Sequence, residues 1–274
     1  MSFESLGVPE INLEKIRTSI LDDRADLYYG GRSEGNFKPA SPGFSDRLEA
    51  LRKKLGLEFI FTPKLQFTKR TASITDSAET AQLLGEGVLR TVEAADGSII
   101  FFDEVERLGY KPSDIALAGF NADCPFVIGY EEDKRALFML HAGLGCLRKV
   151  GEGHGPTIFD QLIKDYKLNP KKIKIQVTAG IQKCCYGRDD GKVFPDAIRH
   201  WGVQFGDVAT DGPRKGQPSL NLAAAIFGRL MAAGIKSENI EVDAHCTCHD
   251  GQHWSNVKGD DARNLVLVRP SDKL

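Results

Sequence analysis

The sequence predicts an α+β fold built on mixed β-sheets, and two observations carry that reading. Strand-like and helix-like stretches interleave irregularly, without the regular alternation of a doubly wound parallel sheet. The central stretch Asn121–Cys146, NADCPFVIGYEEDKRALFMLHAGLGC, holds two short apolar runs, Pro125–Ile128 and Ala136–Leu140, separated by the polar, turn-like segment 129–135. That pattern predicts an antiparallel hairpin.

Taken in order, Ile11, Leu13, Ile16 and Ile20 predict a short helix near the N-terminus. Leu27–Pro42 is rich in Gly, Ser and Pro and predicts a loop. Ser45 reads as the N-cap of a helix over Asp46–Leu55, whose Leu48, Leu51 and Leu55 share one face. Leu57–Thr62 and Leu65–Ile74 predict strands, Ser77–Gly87 a helix, and Gly97–Phe102 and Ile115–Phe120 further strands. Asp103, Glu104 and Glu106 then sit on a solvated helix start. After the hairpin, Ile158, Phe159, Leu162, Ile163 and Tyr166 give Thr157–Leu168 a helical stripe. Lys172–Val177 predicts a strand, 180–187 a loop, and Asp196–Trp201 is ambiguous. Leu220–Ala233 is the clearest helix, with Gly234 at the C′ position. Ile240–Val242 and Asn264–Val268 complete the strands. No internal repeat or long linker divides the chain, so residues 1–274 are expected to form a single domain.

Composition narrows the function classes. Hydrophobic residues make up 41% of the 274 and charged residues 27%, as in an ordinary globular protein. A formal charge of -2 gives no electrostatic case for nucleic acid or an anionic membrane. No apolar run approaches the roughly 20 residues that span a bilayer. The N-terminal stretch does not read as a signal peptide. The six cysteines are bunched at 124, 146, 184/185 and 246/248. Such spacing suits reduced, mostly buried thiols in a cytoplasmic protein better than disulfides.

Two groups of residues could carry chemistry. The hairpin brings Cys124 and His141 to the same end, where a thiolate and an imidazole begin either a metal site or a Cys–His nucleophile pair. The AGLG segment after His141, with Gly143, offers bare amides for an anion or oxyanion. Asp123 can cap a turn or orient a histidine. Arg148 and Lys149, close after His141, and Arg263 can hold an anionic group, while His154 lies in the Gly-rich GEGHG. Of Cys184 and Cys185, whose directions alternate in an extended chain, one can face a cleft. The second group, His245-Cys246-Thr247-Cys248-His249 followed by His253, is denser in donors but matches no standard structural zinc spacing. In extended form Cys246 and Cys248 share one side, whereas His249 and His253 share a face only on a helix. Each of these residues also has a plainer reading, as a packed thiol, a core histidine or a solvated charge.

Several of these segments resemble a known family. Ala122-Asp123-Cys124-Pro125, His141-Ala142-Gly143, Cys184-Cys185-Tyr186 after Gly180-Ile181, the stretch Ser219–Val242 and Cys246-Thr247 follow the order and spacing of the YfiH-like, or laccase-domain, proteins. These are also described as polyphenol oxidases and purine nucleoside phosphorylases. The agreement runs over roughly residues 110–268, and the chain resembles a divergent member. The resemblance implies mixed sheets packed face to face with helices outside. It implies a zinc ion held by a histidine from an early QVHG motif, the cysteine of ADC and the histidine of HAG. Carried over, Cys124 and His141 are two of these ligands. The first has no counterpart: Gln66-Phe67-Thr68-Lys69 places Thr68 there, and no histidine precedes His141. Leu144-Gly145 also replaces the Trp-Arg of HAGWRG, with Arg148 as its nearest substitute. His154, His245 and His249 are the candidates for a replacement ligand.

Three functions follow as expectations. The first is a zinc-dependent purine nucleoside phosphorylase or hydrolase, with a small-molecule substrate and phosphate. The second is a metal-free Cys–His hydrolase or deamidase, as the similar fold of the cytotoxic necrotizing factor toxins suggests. There Cys124 is the nucleophile, His141 its base, and Asp123 and Cys185 belong to the same centre. The third is a scaffold that binds a ligand without catalysis. One Cys and one His do not suffice for the histidine-rich copper sites of an oxidase.

Overall fold

The structure is a computed structural model. It describes residues 11, 13–16, 18–21, 23–66, 68–74, 81–85, 87–147, 156–186, 209–211 and 218–273. A seven-stranded sheet has the order β1 (Glu14–Ile16), β2 (Ala25–Gly30), β15 (Asn264–Pro270), β8 (Ile115–Asn121), β3 (Phe59–Lys64), β6 (Val88–Ala94), β5 (Ala81–Gly85). A six-stranded sheet has the order β14 (Ile240–Val242), β11 (Ile173–Val177), β9 (Phe126–Glu131), β10 (Ala136–His141), β7 (Gly97–Phe101), β4 (Thr71–Ser73). A short ribbon pairs β12 (Ala209–Asp211) with β13 (Pro218–Leu220). Both large sheets mix parallel and antiparallel pairs: β3 runs parallel to β6 and β8, while β15 runs antiparallel to β2 and β8.

The alternation of side chains along β9 and β10 explains why the sheets stack. Phe126, Ile128 and Tyr130 of β9, with Leu137 and Met139 of β10, point to one face. There they pack against Phe61, Leu117 and Val266 of the seven-stranded sheet. Val127, Phe138 and Leu140 point the other way, beneath α4 (Ile158–Tyr166) and α5 (Leu222–Ala232). The outer face of the seven-stranded sheet is covered by α1 (Phe44–Lys54), whose Phe44, Leu48 and Leu51 meet Ile60, Ala116 and Leu265. The result is helix, sheet, sheet, helices: the α+β class expected from the sequence, in the face-to-face arrangement that the family resemblance implies. Both apolar faces of each sheet are covered, so almost every central strand position is buried. Gly119 permits a close approach between the sheets: a β carbon there would lie 2.3 Å from Cζ of Phe126.

Ser45, read as the N-cap of α1, lies inside that helix instead: α1 begins at Phe44 after Gly43, which stands at φ 70°, and no side chain caps it, whereas the next two caps are made by side chains. Thr157 caps α4 by accepting from the Asp160 N–H, and Asp160 returns the bond to the Thr157 N–H. Asn221 caps α5. The acids Asp103 and Glu104 do lie in the first turn of α2 (Phe102–Arg107).

Three element assignments differ from expectation. Residues 14–16, read as part of a helix, form β1 on the edge of the sheet, beside β2. β2 itself lies at the start of a stretch read as loop. Its six residues ADLYYG are all buried between β1 and β15, so pairing overrides the Gly-rich sequence that follows. Residues 81–85, inside the expected helix Ser77–Gly87, form β5, because AQLL is as apolar as a helix turn and finds β6 to pair with. Asp196–Trp201 lies outside the described residues.

Candidate active site

The hairpin of β9 and β10 places His141 opposite Phe126, the residue two positions after Cys124. Cys124 and His141 therefore meet at one end of the sheet. Gly143 marks the meeting point: a β carbon there would lie 2.9 Å from His141 Cε1, 3.1 Å from Nε2 and 3.1 Å from Cys124 Sγ. The Cys124 thiol lies close enough to the ring to favour its charged form. Phe126 supports the imidazole from one side, with ring centroids 5.7 Å apart.

The opposite edge of the ring belongs to residues that motif reading did not find. Asp96, in the turn between β6 and β7, is fully buried, and its Oδ1 lies 3.7 Å from His141 Nδ1. Cys146, on the short helix α3 (Leu144–Leu147), places Sγ 3.7 Å from the same nitrogen. The backbone repeats the link, because the His141 N–H donates to the Asp96 carbonyl at 2.7 Å. Asp96 is itself held by three donors: Gln66 N at 3.1 Å, Thr68 Oγ1 at 3.1 Å and Lys69 N at 2.9 Å. Lys69, in a left-handed conformation with φ 63°, reaches the Pro156 carbonyl through Nζ at 3.2 Å. It adds a cation near Cys146 and Asp160.

These surroundings set the protonation state of His141. Burial opposes the charged ring, but Asp96, Cys124 and Cys146 outweigh it and hold the imidazole well above its usual pKa. Burial pushes the Cys146 thiol up, against the pull of His141. Lys69 is pushed down, chiefly by burial.

The other residues singled out from sequence fall in several places. Asp123 stands at φ 89° in the corner before Cys124. Its Oδ1 accepts from Thr247 Oγ1 at 3.0 Å and its Oδ2 from the Val257 N–H at 2.9 Å. It shapes the loop that carries Cys124. Arg263 flanks the start of β15, its guanidinium turned back onto the Ala262 carbonyl at 2.8 Å. His245 is exposed and paired with Asp243 at 2.6 Å. Cys185 and His249 meet each other, 3.2 Å apart, in a second cluster with Cys184 and Cys246. The alternation expected of Cys184 and Cys185 does not hold, because residues 183–185 form a turn rather than a strand. Arg148, Lys149 and His154 lie outside the described residues. All six cysteines are free thiols, and only Cys146 and Cys248 are buried. The expectation that most are buried fails because the second cluster gathers at the surface.

Among the described residues, two groups could hold a metal ion: Asp96, His141 and Cys146, and the cluster of Cys184, Cys185, Cys246 and His249. A catalytic zinc takes three protein ligands and keeps one position open. Around Cys124 the described residues supply two, Cys124 and the Nε2 edge of His141. Thr68 is spent on Asp96 instead. The set on the Nδ1 side is buried throughout, and its carboxylate is already committed to Gln66, Thr68 and Lys69. Neither set makes a three-ligand catalytic centre open to substrate, and neither has the histidines of a multi-copper centre. What the described residues offer at this centre is a thiol, an imidazole and a carboxylate.

Residues 69–264 match the model of the multi-copper polyphenol oxidoreductase laccase family, a span that begins just after Thr68. The chain belongs to this family. A curated relative, the purine nucleoside phosphorylase YlmD of Bacillus subtilis, is 30% identical over 135 residues. That match takes in 49% of this chain and 46% of the relative, just under half of its length. Among solved structures, YlmD from Geobacillus stearothermophilus superposes with a TM-score of 0.70 at 18% identity. It covers 97% of this chain and 99% of its own. The YfiH protein of Bacillus licheniformis gives 0.67 at 21%, over 89% and 92%. These likenesses show the laccase-domain fold. No helix among the described residues is long and apolar enough to cross a membrane.

Proposed function

We propose that this laccase-domain protein is an enzyme of the nucleoside-processing type, which splits the N-glycosidic bond of a purine nucleoside with phosphate as the acceptor. The observation that supports this reading best is the buried His141, held between Asp96 on Nδ1 and Cys124 on the Nε2 edge. Departure of a purine leaves an electron pair on the base. A protonated imidazole can quench it by giving a proton to the ring nitrogen as the C1′–N bond breaks. A phosphate oxygen then bonds to C1′, so the products are the free base and ribose 1-phosphate. Asp96 keeps the imidazole charged and oriented, as a carboxylate does behind a catalytic histidine. Lys69 supplies positive charge for the phosphate, and the sequence offers Arg148 as a second cation. The absence of a side chain at Gly143 lets the His141 ring and the Cys124 thiol close up against its backbone. Zinc joins this reading only with a third ligand beside Cys124 and His141.

One observation favours a second reading. Cys124, His141 and Asp96 stand in the order of a nucleophile, base and orienting carboxylate, which is the layout of a Cys–His hydrolase or deamidase. A single set of assays separates the two. The protein is incubated with adenosine, inosine or guanosine, with and without phosphate, and the products are resolved by chromatography. Phosphate-dependent release of base with ribose 1-phosphate, lost in His141→Gln but retained at reduced rate in Cys124→Ser, supports phosphorolysis. No base release, together with rapid alkylation of Cys124 by iodoacetamide at neutral pH, sinks it in favour of the nucleophile.

A further inference from the structure

The geometry points to a second, structural metal site outside the centre of Cys124 and His141: a surface zinc site of three cysteines and one histidine, Cys184, Cys185, Cys246 and His249. The four donor atoms all lie within 4.8 Å of one another. Tetrahedral zinc with sulfur at about 2.3 Å and nitrogen at about 2.0 Å places its donors roughly 3.5–3.8 Å apart. Cys184 Sγ lies 3.4 Å from His249 Nδ1 and Cys185 Sγ lies 3.2 Å from Nε2. The imidazole edge therefore faces both sulfurs, and a small rotation aims one nitrogen at the ion.

Local turns explain how two short segments present four ligands. Cys185 N and Tyr186 N both donate to the Gln182 carbonyl, so residues 182–186 form a helical turn. Neighbouring side chains then diverge by about 100° instead of the 180° of a strand, and both thiols can reach one ion. His249 N and Asp250 N both donate to the Cys246 carbonyl, which stacks Cys246 and His249 three positions apart on one side of a second turn. A parallel bridge between Gly180 and Cys246 fixes the two turns side by side. The Gln182 N–H points at Cys246 Sγ at 3.4 Å, the kind of outer-shell donor that stabilises a metal-bound thiolate. Three thiolates and an imidazole at the surface, free of disulfides, select zinc over hard cations. Binding releases the thiol protons to solvent.

The ion would staple the two loops behind the corner of Cys124. Ile181 N donates to the Asp123 carbonyl at 2.8 Å, and Thr247 Oγ1 donates to the Asp123 carboxylate at 3.0 Å. Its role is to hold those loops together, and it does not depend on what the neighbouring centre catalyses.

The test uses the full chain, purified under reducing conditions, stripped with a chelator and reloaded with zinc or cobalt(II). About one zinc ion per chain is expected at this site. The cobalt form should show the visible bands of tetrahedral coordination and thiolate-to-cobalt charge transfer in the near ultraviolet. Cys184→Ser with Cys246→Ser, and separately His249→Ala, should abolish those bands. His249→Cys should keep them with a shifted spectrum, and Cys124→Ala and the control His245→Ala should leave them unchanged. Stripping should lower the melting temperature of the wild type and not that of the double variant. Bands that survive the double variant and vanish in Cys124→Ala would place the metal in the other centre and overturn the assignment. A Cys184–Cys246 disulfide found by non-reducing mass spectrometry of freshly purified protein would overturn it too. So would a wild type that binds no zinc while circular dichroism shows it folded.

Discussion

The Thr68 hydroxyl donates to Oδ2 of Asp96 at 3.1 Å, and Oδ1 of the same carboxylate lies 3.7 Å from Nδ1 of His141. The residue standing where relatives are expected to carry a metal-binding histidine thus acts one step back. It steadies the acid that steadies His141. Thr68 and Asp96 together bear on the charge of one imidazole.

Asp96→Asn tests that inference. The amide keeps the shape but removes the charge, and its NH2 must face either the Gln66 N–H or the donors of Thr68 and Lys69. Loss of an orienting partner of this kind costs about 10–100-fold in activity. The alkaline limb of the pH–rate profile, where His141 gives up its proton, should also move to lower pH. An unmoved limb would show that Asp96 does not set the state of the ring.

Stability should carry the same signature. His141 has a folded pKa raised above the unfolded value near 6.5, since Asp96 and the two cysteines outweigh burial. Its contribution is therefore fully present below about 6.5 and fades as pH rises through the raised value. Calorimetric melting from mildly acidic to alkaline pH should show this decline, and His141→Gln should flatten it. Equal slopes in both proteins would mean that other groups carry the dependence.

Gly143→Ala should damage the site more than the fold. The added methyl would lie 2.9 Å from His141 Cε1 and 3.1 Å from Cys124 Sγ, so one of the two must shift. Misplacing reacting groups by about 1 Å costs about 100-fold in rate, and the smaller shift forced here should cost up to that. The strain on the fold should stay within roughly 1–3 kcal/mol. Product assays alongside urea unfolding separate the two effects, and an active, correctly folded Gly143→Ala protein would exclude Cys124 and His141 as the groups facing substrate.

The pairing of Cys124 with His141 was legible because alternation and a short polar turn fix a hairpin, and a hairpin fixes which ends meet. Asp96 carries no such signal. It is an ordinary turn acid until β7 pairs with β10 and brings its carboxylate beneath the ring. Cys146 is hidden for a related reason: GLGC reads as loop, and only the turn of α3 aims its thiol at Nδ1. The second cluster escaped because its halves are far apart in sequence and join through one bridge, Gly180 to Cys246. Edge strands such as β1 and β5 are the weakest part of any local reading. Their short apolar runs suit a helix equally well, and the neighbouring strand decides.

Asp123 combines a costly backbone with two valuable acceptors, and the balance can be measured. At φ 89° a residue with a side chain is strained by about 1–2 kcal/mol, which glycine would relieve. Its carboxylate, however, accepts from the fully buried Thr247 hydroxyl and from the Val257 N–H. Removing a donor to a buried carboxylate costs about 1–3 kcal/mol. Thr247→Val, which keeps the shape, should therefore destabilise by about that amount. Asp123→Gly should cost more despite the relaxed backbone, because it leaves both donors unmet. Loosening this corner should also free the backbone of Cys124, whose carbonyl accepts from Asn121 Nδ2 at 2.5 Å. Urea unfolding of the two variants gives the ranking, and hydrogen exchange at the Cys124 loop reports the loosening. An Asp123→Gly protein as stable as the wild type would show that backbone strain, and not the buried carboxylate, governs the corner.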